Sequence, residues 1–223
     1  MTTGELAART WAELRAPHWW RFGLLWFALA FLAEMSIAIN HPPRPPGAVI
    51  LYSLIGIAFL LLGWTTAAAL RRASASARRP WRVDASLLLY LALQAAISAA
   101  GWPLLPLIHD ESPFAASLLS AALPVVLAAP LAPWLVAIAV ERPLAVSPWR
   151  FLGRANGWLP PLLVLTLVLL LPVELAEIWV SIAVLALSGD AAAFALVYGV
   201  LVALSGMIGL AMGLVAYRSV AEA

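Results

Sequence analysis

The chain has 223 residues, 64% of them hydrophobic and 11% charged, with a mean hydropathy of +0.97 and a formal net charge of +2. Soluble domains are nearer half apolar and a quarter charged, and a chain this short has no interior large enough to hide so much apolar surface. Cysteine is absent, which removes disulfides, thiolate metal sites and cysteine nucleophiles, and the 13 basic side chains are all arginine.

Those arginines fall beside apolar runs, so nucleic acid is not an expected partner. Arginine, alanine, proline and glycine are all frequent and all have GC-rich codons, which points to a GC-rich bacterium. A helix needs about 20 apolar residues to cross a bilayer. Six runs qualify, at about 22–39, 48–70, 85–108, 115–140, 158–188 and 191–217. The expected fold is all-α: one polytopic membrane domain over 1–223, with six transmembrane helices and short interfacial helices at about 3–16 and 148–155.

In chain order, "MTTGELAARTWAELRAPHWWR" predicts a surface helix capped by Thr2 or Thr3 and ended by Pro17. Trp19 and Trp20 are then expected at headgroup level. Run 22–39 carries Glu34, roughly 20 Å along the helix from Arg21. The run continues past a signal-like "ALA" and is read as an uncleaved span. "HPPRPPG" predicts an extended polyproline connection to the charge-free run 48–70. "RRASASARRPWRVD" follows, and Arg71, Arg72, Arg78, Arg79 and Arg82 are expected to contact lipid phosphates. Run 85–108 leads to His109, Asp110 and Glu111. Run 115–140 contains Pro124, Pro130 and Pro133, which predict a kinked or partly unwound helix.

"VSPWRFLGRANGW" predicts an interfacial helix over 148–155. Ser147 caps it, Arg150 and Arg154 reach phosphates, and Asn156-Gly157 ends it in a left-handed conformation. An arginine-bearing interfacial helix, an Asn-Gly-Trp turn and a long apolar span resemble uncharacterised bacterial six-span membrane proteins. Some of these are similar to the membrane domain attached to certain glycerophosphodiester phosphodiesterases. The likeness covers 141–172 and the six-span plan. It implies a membrane-embedded domain and carries over no catalytic residue.

Run 158–188 holds Glu174 and Glu177 one helical turn apart and, at roughly 45 Å, is expected to tilt, kink at Pro172 or project outward. "SGD" then forms a hairpin into the last run, where Ser205, Gly209 and Gly213 make a small-residue seam for helix packing, within the chain or in a homodimer. Twelve arginines lie on one side of this plan and only Arg44 on the other, which places both termini in the cytoplasm of a bacterial inner (plasma) membrane.

A carboxylate in hydrocarbon is costly, so Glu34, Glu174 and Glu177 are expected to face the interior and share a polar cavity, with His109 nearby. First and fifth spans converge in that expectation. Three readings remain open: polar packing, a proton or cation pathway, and a ligand or lipid headgroup site. No spacing resembles HExxH or another metal set, and no nucleophile–base pair or cofactor motif is present. The leading expectation is a non-enzymatic membrane protein that binds a lipid, peptide or partner protein as an accessory subunit. A small proton- or cation-coupled transporter is the alternative, and an intramembrane enzyme the third. Expected partners are membrane lipids and a membrane protein or second copy; no cofactor and no metal are expected.

Overall fold

Thr2 and Glu5 start the first helix reciprocally. The Thr2 hydroxyl accepts from the Glu5 amide at 3.2 Å, and the Glu5 carboxylate accepts from the Thr2 amide at 2.6 Å. The bond from the Thr2 amide holds the Glu5 carboxyl below its ordinary range.

The structure is a computed structural model and describes residues 1–39, 47–76, 79–100, 113–141 and 146–221. Its helices are α1 (Thr3–Leu14), α2 (Pro17–Ile39), α3 (Gly47–Ala73), α4 (Ala85–Ala99), α5 (Pro113–Val140), α6 (Trp149–Leu152), α7 (Ala155–Leu165), α8 (Leu171–Ser188) and α9 (Ala191–Ala221). A π-helical turn, Thr166–Leu170, joins α7 to α8. The fold is all-helical, with no strand among the described residues. Three described stretches are long and apolar enough to cross a membrane: Ala122–Val140, Ala155–Ser188 and Ala191–Ala221, each of mean hydropathy 2.2. That character fits a membrane-associated protein. His41, Arg44, Arg78, Pro103, Pro106, His109, Asp110 and Glu111 lie outside the described residues.

The central helix is α9, which packs against α2 along one side and α8 along another. Glycine sets the α2–α9 distance. A Cβ at Gly199 would lie 3.1 Å from the Phe27 carbonyl oxygen, and one at Gly23 would lie 2.6 Å from the Met207 sulfur. Trp26 fills the next level, donating from its indole to Thr65 Oγ1 at 2.8 Å. Gly209 and Gly213 face Leu170 and α5 residues Ala132 and Val136, while Ser205 faces Glu177, so this seam is occupied from within the chain.

The arginine-bearing segments meet at one end of the bundle. Arg71 has no exposed side-chain surface. Its guanidinium donates to Asp84 Oδ1 at 2.8 Å, to the Arg82 carbonyl at 2.6 Å and, through Nε, to the Ala139 carbonyl at 2.8 Å. Ser76 and Ser86 donate to the next two carbonyls, those of Val140 and Glu141. The end of α5 thus has its otherwise unpaired acceptors satisfied by side chains from other segments. The expectation that Arg71 contacts lipid phosphate is overturned: every side of its guanidinium is committed inside the protein. Arg72, Arg79 and Arg82 are exposed on this same end.

Two further arginines tie the chain ends together. Arg218 pairs with Glu13 at 2.6 Å and donates to the Ala73 carbonyl at 2.8 Å. Arg154 donates to the Val220 carbonyl at 2.9 Å. Arg150 pairs with Glu141 at 3.1 Å and keeps 41% of its side chain exposed. The phosphate role expected of Arg154 and Arg150 therefore competes with these internal bonds.

Helix α1 docks on the protein through Leu6, which is buried in one cluster with Phe151, Trp158 and Val220. Trp19 corrects the expected headgroup pair. It is fully buried and donates to Glu13 Oε1 at 3.2 Å, whereas Trp20 is exposed. The helix expected at 148–155 is shorter, with only Trp149–Leu152 helical. Trp149 and Leu152 are exposed around a buried Phe151. Asn156 and Gly157 do not end a helix but lie in the first turn of α7, whose Trp158 donates back to the Phe151 carbonyl at 3.2 Å.

Helix α5 runs through Pro124, Pro130 and Pro133 as one α-helix, so it is not unwound there. Run 158–188 is interrupted just before Pro172, by the π turn.

Candidate functional site

The π turn decides which way the glutamates point. Pro172 has no amide hydrogen, and its ring crowds the carbonyl one turn back. The chain responds with a wide turn in which the Leu171 amide bonds to the Thr166 carbonyl, five residues earlier. Before the turn, Trp158, Leu162 and Leu165 are buried. A regular α-helix would continue that face through Leu169, Pro172 and Ala176. Leu169 and Pro172 are instead exposed, and Leu170, Glu174 and Glu177 line a partly open cavity. One extra residue in the turn has advanced the face by one position.

The cavity has a volume of about 540 Å³. Its walls come from α2, α3, α4, α5, α7, the π turn, α8 and α9, and are mostly apolar. Ser205 Oγ donates to the Val202 carbonyl at 3.2 Å and lies 3.5 Å from Glu177 Oε2. Glu174 and Tyr198 line the cavity beside this pair. Across the cavity, Gln94 Nε2 donates to the Tyr90 hydroxyl oxygen at 3.0 Å. Thr166 sits deeper, on the wide turn itself. No arginine or histidine lines this space among the described residues. A proton or a cation from elsewhere must therefore balance two adjacent carboxylates in such apolar surroundings.

Glu34 is not on the cavity wall, but it stands within electrostatic reach of Glu177 and Tyr198. The expected convergence of the first and fifth runs takes a different form. Helix α9 lies between them, and its Ser205 approaches Glu177 of α8 at 3.5 Å. His109, expected beside the glutamates, lies outside the described residues. Tyr90, Gln94, Thr166 and Tyr198 were not expected in the site. Tyr198 and Ser205 share a face of α9 at a seven-residue spacing, which is the one signal in the sequence that pairs them.

The groups present can accept hydrogen bonds, carry a proton or hold a positive charge. They include no nucleophile paired with a base, and no group of three metal-ligating side chains occurs among the described residues. Compared with protein-family models, curated proteins and solved structures, the chain matches none of them.

Proposed function

We propose that the chain is a non-enzymatic, six-span protein of a bacterial inner membrane that binds a ligand inside the bilayer and serves as an accessory subunit. The observation that carries this reading is the cavity of about 540 Å³ with Glu174 and Glu177 on its wall. That volume falls in the range of small-molecule sites, roughly 300–1,000 Å³, and its apolar walls with a few convergent polar groups are the usual make-up of such sites. Val202 lines the cavity, and Val202→Phe would fill it. Native mass spectrometry of the protein from its membrane should show one non-covalent adduct on the wild type and none on Val202→Phe at equal elution volume. An adduct carried equally by both proteins, or by neither, would overturn the reading.

Both termini are placed in the cytoplasm, on the arginine bias. Reporter fusions at Ala223 and within 71–84 should read cytoplasmic, and fusions at Glu111 and Gly189 external. A cytoplasmic signal at Gly189 would refute the six-span plan.

A second reading, proton- or cation-coupled transport, draws on one observation: an interrupted helix forms a wall of the cavity. Flux in proteoliposomes that Glu174→Gln abolishes would replace binding by transport.

A further inference from the structure

We propose that the cavity takes an amphiphile bearing a primary ammonium group, with the ammonium held between Glu174 and Glu177 and the apolar body lying along Leu170 and Leu162. This deepens the binding reading and rests on it. Charge selects a cation: two carboxylates face the space, and no basic side chain lines it among the described residues. Size and surroundings select a molecule over a metal ion. A desolvated ion needs a tight shell of oxygens, whereas this space is roomy and mostly apolar. Hydrogen bonding selects the primary amine. An ammonium has three donors, and the acceptors on the cavity wall include the Glu174 and Glu177 carboxylates, the Tyr198 oxygen and the Ser205 oxygen, which lies 3.5 Å from Glu177.

Thr166 is 2% exposed and lines the cavity, so its hydroxyl can bond a polar atom of the occupant. Thr166 lies eight residues before Glu174, roughly 12 Å along the helix. The cavity is therefore long in the direction of the helix axis, as an extended molecule requires. Tyr90 is 1% exposed; its oxygen accepts from Gln94, and it offers its own O–H to the same space.

The probe is radiolabelled n-octylamine, with n-octanol as the neutral isostere and octanoate as the anion. Binding is read as the saturable component on protein in phosphatidylglycerol nanodiscs, after subtraction of empty discs. The wild type should bind octylamine and discriminate against octanol and octanoate. Glu174→Gln/Glu177→Gln keeps the shape and should weaken octylamine binding by about 10- to 100-fold, the loss expected for charge-assisted hydrogen bonds. Thr166→Val should leave octylamine binding within about threefold, because this probe has no second polar atom. Equal binding of octanol and octylamine, both lost in Val202→Phe, would overturn the ammonium proposal and leave the binding reading standing. No saturable binding by any of the three probes overturns the ammonium proposal; the mass-spectrometric adduct then decides the binding reading separately. Two sources share this headgroup chemistry. Suppression of octylamine binding when phosphatidylethanolamine is added to the discs assigns the site to a lipid headgroup, and its persistence assigns it to a free amine.

Discussion

Arg71→Met should destabilise the protein by about 3–5 kcal/mol, the cost of removing one partner from a buried ion pair. The substitution roughly preserves volume, so the loss is one of polar contacts. It strips the Asp84 carboxylate of its guanidinium and leaves the carbonyls of Ala139 and Arg82 without a donor. Those groups belong to three different segments, so the damage reaches the end of α5, the 79–84 connection and the start of α4. Asp84 also caps α4 by accepting from the Leu87 amide at 3.1 Å, so it cannot turn away to find water without a further loss. Arg72→Met is the control, since Arg72 is exposed. Thermal unfolding in detergent should show a clear fall in Tm for Arg71→Met and a change within error for Arg72→Met. Equal Tm values for the two variants would show that the Arg71 network contributes nothing.

Gly199→Leu should be the most damaging substitution between α2 and α9, at about 1–3 kcal/mol. The first atom added, Cβ, would already lie 3.0 Å from Phe27 Cδ2 and 3.1 Å from the Phe27 carbonyl oxygen. A ring can swing aside, but a carbonyl in the middle of α2 cannot move without shifting the helix. The remaining leucine atoms would then have to push the two helices apart. Gly56→Leu is the matched control, because a Cβ there meets nothing within 4 Å. The stability difference between the two variants, read from unfolding in the same detergent, measures the close approach itself. A Gly199→Leu protein as stable as Gly56→Leu would mean that α2 and α9 do not pack this closely.

Much of the helical plan was legible because apolar runs and helix caps are local. Thr2 with Glu5, Ser188-Gly189-Asp190 and the uncharged run 48–70 each carry their own signal. Gly189 adopts φ of +63°, as a hairpin glycine can. The candidate site was legible in part for the same reason: a carboxylate in a long apolar run is conspicuous, and its energetic cost restricts where it can face. What sequence reading missed is non-local. Nothing adjacent to Arg71 distinguishes it from Arg72, yet one of its partner carbonyls belongs to Ala139, 68 residues away. Trp19 and Trp20 are likewise equal as sequence, and only the position of Glu13 against Arg218 shows that one indole is enclosed. Tyr90 and Gln94 looked like ordinary span residues because the wall opposite them comes from elsewhere in the chain. The prolines of α5 and Pro172 carry the same chemistry, and the neighbours around each decide which one interrupts its helix.

The wide turn Thr166–Leu170 stores the sidedness of everything after it in a single residue's worth of chain. Regularised at constant length, it would rotate α8 by about 100° and carry Glu174 and Glu177 from the cavity toward the face where Val168 is now exposed. Shortened by one residue as it is regularised, it would leave both faces where they are. For this helix, chain length sets orientation as strongly as composition does. A one-residue deletion, ordinarily a severe lesion in a helix, is here the silent change, while straightening the turn without one turns Glu174 and Glu177 away from the cavity.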